Sequence, residues 1–247
     1  GPSLSVFGQA KSEILIRNAT VLTASHGTLR NNDILIRDGK IARIGKNLTA
    51  AANAPTIDAT GKFVTPGLID AHSHSMLSAI NEGTLSVTSM TRIRDVLDPN
   101  DIAIYRALAG GVTSALLLHG SANPIGGQSV TVKFKWGHPV EDYPIPDAIP
   151  GIKFALGENV KRSNFQPLPG QSVRYPRTRM GTLEVIRDAF RRARDYKQAW
   201  DDYRAGKTKI PPRVDEELQP LVEVLEGKRL VHCHGYRSDE HLNIMRL

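Results

Sequence analysis

Cysteine is nearly absent. Cys233 is the one thiol in 247 residues, so no internal disulfide can form, a pattern that fits a reducing compartment. No run of about 18 or more apolar residues occurs, the length that a membrane-spanning helix needs. Nor does any stretch have the layout of a secretory signal. A soluble protein is therefore expected, cytoplasmic or periplasmic, with no membrane partner. Hydrophobic residues are not lacking: at 40% they suffice to bury a core and exclude disorder by composition. The net charge of +7 is moderately basic. Much of the excess lies between Lys153 and Arg213, but Asp188, Asp195, Asp201 and Asp202 interleave with the arginines. That pattern reads as a solvated helix face, so no nucleic-acid partner is expected.

The chemistry concentrates at Phe63 to Ser75, FVTPGLIDAHSHS. Pro66-Gly67 is turn punctuation. Leu68, Ile69 and Ala71 make a short apolar run, as in a buried strand of a parallel sheet. His72 and His74 are two residues apart, so on a strand both imidazoles share one side. Two imidazoles at a strand's C-terminal end form half of a divalent metal site.

The rest of the chain reads as elements that could complete such a site. Residues 1–12 lack periodicity and are expected to be a flexible lead-in, Gly1-Pro2 resembling the scar of a processing protease. From Glu13 short apolar strands alternate with turns. Asp38-Gly39 between two of them is a hairpin signal, so 13–66 is expected to be a small antiparallel β module. Beyond His74 a Ser/Thr-rich loop runs to Met90. Asp98-Pro99 is expected to start a helix that ends at Gly110-Gly111, followed by a buried strand to Leu118 and His119-Gly120. Ser121 to Gln128, SANPIGGQ, reads as a tight loop with exposed amides that could hold an anion or substrate. Val130 to Trp136 reads as a strand with one solvated face, and Gly151 to Leu156 as another, with Lys153 inside it and Glu158 beyond its end. Thr182 is expected to begin a long helix with an apolar stripe at Leu183, Ile186, Phe190 and Ala193. A shorter helix spans Asp215 to Glu226. Leu230 to Gly235 is a strand carrying a second His-x-His, His232 and His234, before a last helix. Three strand ends thus offer ligands: His72 with His74, Lys153 or Glu158, and His232 or His234. Nitrogen and oxygen donors of this kind suit zinc first, with manganese, iron, cobalt or nickel possible.

Pro66, Gly67, Asp70, His72 and His74 fill every position of PGxxDxHxH. The stretch therefore resembles the metal-binding strand of the amidohydrolase superfamily, with the imidazolonepropionase-like branch as the expected place within it. The resemblance implies an α/β fold: part of a (β/α)8 barrel of the TIM type over 67–247, with part of a small β-sandwich before it. It implies one or two divalent ions, with His72 and His74 on the more buried one. Glu158 is the preferred carboxylate, as the residue level with the pair, and a carboxylated Lys153 comes close behind. His232 aligns with the family's next metal strand, which leaves His234 for substrate. His119, Gln128 and Arg162 complete the expected substrate contacts. The implied reaction is hydrolysis of an amide, peptide or cyclic amide by metal-activated water. Every matched motif belongs to the family's N-terminal half, and its catalytic aspartate would lie beyond Leu247. A complementary C-terminal segment or second chain, or a homo-oligomer, is accordingly expected as partner. A non-catalytic metal-binding scaffold is the alternative.

Overall fold

The computed structural model describes residues 12–161, 169–170 and 173–247. The expected lead-in, apart from Ser12, lies outside the described residues, as does Arg162. The chain divides into two compact units, one ending at Gly67 and one beginning at Leu68.

The first unit is a five-stranded sheet. It comprises β1 (Glu13–Leu22), β2 (Thr28–Arg37), β3 (Lys40–Gly45), β4 (Thr56–Asp58) and β5 (Phe63–Val64). The order is β3-β2-β1-β4, with β5 also paired to β1. The β2–β3 hairpin turns at Asp38-Gly39, both with positive φ, as its primed turn demands. Register shifts between Ile16 and Ala19, where Asn18 takes φ 60°. Apolar residues pack in two groups, Leu15 with Leu35 and Leu48, and Ala19 with Val21, Ile34 and Ala59. Asp33, 4% exposed, holds the irregularity. Its Oδ1 accepts the Asn18 N–H at 3.0 Å and its Oδ2 accepts the Leu48 N–H at 3.0 Å. Asp33→Ala would leave two backbone donors without this acceptor, and should cost about 2–4 kcal/mol in a urea titration that follows this unit. A loss within 0.5 kcal/mol would show that water replaces the carboxylate.

The second unit is a mixed α/β body with a curled, half-barrel sheet. Its elements are β6 (Leu68–Ser73), α1 (Ile102–Ala109), β7 (Val112–Leu117), β8 (Ile125–Lys133), β9 (Gly151–Ala155), α2 (Arg179–Arg204), α3 (Gln219–Leu225), β10 (Leu230–His234) and α4 (Ser238–Met245). Sheet order is β10-β9-β8-β7-β6. The β6–β7 and β9–β10 pairs are parallel, whereas β8 runs antiparallel to both its neighbours. This departs from an all-parallel half-barrel. The Ser121–Gln128 loop is also shorter than expected, because Ile125 to Gln128 already belong to β8. Two glycines at that start read as a turn in sequence, yet they serve close packing. Helix α1 begins at Ile102, not at Pro99. Asp98 instead makes a turn by accepting the Asn100 N–H, and Asp101 caps the helix by accepting from Ala103.

Alternation along β9 fixes what each face does. Ile152 and Phe154 pack with Ile186, Phe190, Leu221 and Val222 of α2 and α3, so Gly151, Lys153 and Ala155 point to the other face. Helix α2 starts at Arg179, earlier than Thr182, because Thr178 caps it by accepting from Gly181. Its charged flank is a set of ion pairs: Arg187 with Glu184, Arg191 with Asp188, Arg204 with Asp201 and Lys207 with Asp202. No helix among the described residues is long and apolar enough to cross a membrane.

Candidate metal centre

His72 and His74 stand at the end of β6 with their rings edge to face, centroids 5.2 Å apart. The His74 Nδ1 lies 2.9 Å from the Leu118 carbonyl oxygen. A carbonyl can only accept, so Nδ1 carries the proton and Nε2 keeps its lone pair outward. A hydrogen bond of this kind orients and sharpens an imidazole ligand. His72 Nε2 lies 3.5 Å from the Lys153 Nζ. A contact from β6 to β9, across two intervening strands, is a direct measure of how far the sheet curls.

Lys153 is 2% exposed, and no carboxylate pairs with it among the described residues. Burial pushes its pKa below the ordinary lysine value of 10.5, since a buried ammonium loses its hydration. Strand pairing sets His232 beside Lys153 and His234 beside Ala155, all on the face away from the helices. Gly151 has to be glycine here: a Cβ would press into the Ser129 hydroxyl and stand 3.2 Å from the His232 ring. His72, His232 and His234 all have pKa values below the ordinary imidazole value. Burial is the main cause, and the Lys153 charge adds to it in each case. Neutral imidazoles are the form that binds metal. The His234 Nε2 is buried with no hydrogen-bond partner among the described residues. The Cys233 thiol is pushed up to about 11 by burial, and it packs against the core on the helix-facing side of β10, away from the histidines.

The other expected site residues have different company. Glu158 pairs with Lys161 at 2.7 Å and Arg179 at 2.6 Å, and Arg179 also reaches Glu240. Gln128 donates its amide to the Ser89 carbonyl at 2.9 Å. Both nitrogens of His119 meet backbone groups: Nδ1 the Gly120 oxygen at 2.8 Å and Nε2 the Glu82 N–H at 2.7 Å. Among the described residues no group of three His, Cys, Asp or Glu side chains converges on one point. What the structure brings together instead is the His72 ring with the His74 ring 5.2 Å from it and the Lys153 amine 3.5 Å from its Nε2. That donor set is one anionic oxygen short of an ordinary zinc site. Asn123, not singled out in sequence, gathers the loop after β6. Its Nδ2 donates to Thr88 Oγ1 at 2.7 Å and to the Glu82 and Leu85 carbonyls. An asparagine before a proline reads as loop punctuation, so its sequence carried no signal of this.

No family model matches the chain. A solved amidohydrolase from Thermotoga maritima is similar at 37% identity and a TM-score of 0.81, over 94% of this chain and 61% of that one. Amidohydrolase tasK of Hapsidospora irregularis is 32% identical over 84% of this chain and 24% of its own length. A dihydroorotase of Citrifermentans bemidjiense is 37% identical over 37% of this chain and 25% of its own. The chain thus spans about a quarter of the length of these curated relatives. These homologues and the structural neighbour support kinship with the amidohydrolase superfamily, and they are named as hydrolases.

Proposed function

We propose, with that kinship as premise, that this chain carries the metal-binding part of a hydrolase of C–N bonds in amides, peptides or cyclic amides. One observation carries the reading: a buried, charge-unpaired lysine whose amine lies 3.5 Å from His72 Nε2. A lysine in that position is costly as an ammonium. As a free amine it is a nucleophile for carbon dioxide. The nitrogen lone pair forms a C–N bond to the carbon, one proton leaves the nitrogen, and a carbamate anion results. That supplies the anionic oxygen which the two imidazoles lack. On this ground Lys153, rather than Glu158, is the residue that completes the set, since the Glu158 carboxylate is engaged by Lys161 and Arg179.

His72 and His74 would hold a divalent ion together with the Lys153 carbamate, and His232 on the neighbouring strand would serve a second ion. Such donors suit zinc, with manganese, iron, cobalt or nickel as alternatives. Such an ion supplies a Lewis acid that polarises a carbonyl and brings the pKa of water towards about 7. The remaining work falls to side chains. Leu118 fixes the His74 tautomer through its carbonyl, and Gly151 leaves room for the His232 ring. His234, whose buried Nε2 has no partner among the described residues, would be the histidine left for substrate. The PGxxDxHxH run and the Val231-His232-Cys233 strand support the superfamily reading, and placement in the imidazolonepropionase-like branch belongs to the proposal. A completing segment or second chain, and assembly as a homo-oligomer, belong to the same proposal.

Labelled bicarbonate tests it. Carbon NMR of the protein in [13C]bicarbonate with zinc should show a carbamate resonance that is absent from Lys153→Met. Amide hydrolysis should depend on the same two additions. Metal uptake without turnover on a panel of amides and cyclic amides would favour the scaffold reading. No resonance and no metal uptake would overturn the site.

A further inference from the structure

The segment after β6 reads in sequence as a loop over the site, and loops there often move as lids. Here it is tied down by a histidine that the proposed chemistry does not use. His119 is 2% exposed and follows β7, at the same end of the sheet as His74. Its ring is held between two groups of opposite character. The Gly120 carbonyl can only accept, and the Glu82 N–H can only donate. Only the neutral tautomer with its proton on Nδ1 satisfies both. A second proton would set the Nε2–H against the Glu82 N–H.

The charges around the ring divide. The Glu82 carboxylate favours protonation, whereas Lys153 of β9, His74 beyond β6 and, above all, burial oppose it. The packing explains the glycine pair that opens β8. A Cβ at Gly126 would lie 2.5 Å from the His119 Nδ1, so this glycine seats the ring, whereas a Cβ at Gly127 would first meet Thr91, at 2.6 Å from its Oγ1 and 2.9 Å from its carbonyl oxygen. Asn123 grips the same segment from the other side through Glu82, Leu85 and Thr88. Thr88 N–H closes it onto the Ile125 carbonyl at 2.9 Å.

We propose that His119 is a positioning residue: its Nε2 is the acceptor that pins residues 82–88 at the strand ends, which makes them a fixed wall of the site and not a moving lid. The proposal rests on the hydrolase reading only in naming the site that the wall borders, so two of its three tests do not use activity. First, long-range 15N NMR of the folded chain should show His119 with a proton on Nδ1 and a bare Nε2. Second, hydrogen exchange at the Glu82 amide should be protected. His119→Asn keeps a donor near Gly120 but cannot reach Glu82, and should lower that protection about tenfold. His119→Gln places an amide oxygen near the lost Nε2 and should keep it within about threefold. Third, with hydrolysis in hand, the Asn variant should raise KM with kcat little changed, and the Gln variant should restore KM.

A proton found on Nε2, a Glu82 amide that exchanges freely in the unaltered protein, or equal protection in the two variants would overturn the pin. Equal KM values with unequal protection would overturn the wall. If the Asn variant fails to fold, the tautomer and the Gln variant still decide.

Discussion

Changing His72 and His74 together to alanine should strip the protein of bound divalent metal. Elemental analysis after dialysis against limiting zinc is the measurement. About one ion per chain is expected before the change and close to none after it, with affinity down by roughly a thousandfold or more. The change removes two donors at once, and the binding free energy of a metal site is distributed over few ligands. The rings stand 5.2 Å apart, edge to face, and the second is oriented by Leu118, so the pair loses preorganised donors. Any hydrolysis the protein performs should vanish with the metal. Equal metal content in the two proteins would remove β6 from the site altogether.

The second large effect has two halves of opposite sign. Lys153→Met should stabilise the second unit by about 1–3 kcal/mol in the absence of metal and bicarbonate, because an unpaired ammonium leaves a dry environment. The same change should abolish metal-dependent hydrolysis. The pH dependence follows from the depressed pKa. The native state binds the Lys153 proton less readily than the unfolded chain. The stability withheld by this lysine is therefore fully restored above its ordinary 10.5 and is lost as pH falls. The gain from methionine should accordingly be largest near neutral pH and shrink as pH rises towards 10.5. Denaturant titrations at several pH values measure it. A variant less stable than the parent at every pH would mean that Lys153 has a structural role.

Residue types point to where the proposed chemistry sits better than to the donors that complete it. His72, His74 and His232 stand out in the sequence because imidazoles two apart at a strand end have a simple periodicity; that they hold a metal is a proposal. Sequence position favours Glu158, level with the histidine pair, over Lys153, and the proposal reverses that preference because Glu158 is paired with Lys161 and with Arg179, 21 residues further on. A pairing between distant side chains leaves no local pattern. The same reason hid the roles of Asn123 and His119, whose partners lie about 40 residues earlier. The antiparallel course of β8 was missed because Gly126-Gly127 mark a turn by propensity, whereas here Gly126 makes room for the His119 ring and Gly127 for Thr91. By contrast, most of the long helix was legible: Ile186, Phe190 and Ala193 of its stripe are buried, and Arg187, Arg191 and Arg204 of its basic flank pair with acids one turn away.

The sheet order carries one more consequence, for how the protein comes apart. Among the described residues the strands that bear the imidazoles, β6 and β10, are the first and last of the five, each paired on one side only. End strands fray at lower free energy than those between them. Without metal the ligand set should therefore dissolve by local opening while β7, β8 and β9 still hold. Any ion that spans both ends works as a clasp on a bent ribbon. Its binding should slow amide exchange at the two margins far more than in the middle, and its apparent affinity should be lowered by the fraction of time the ribbon spends unclasped.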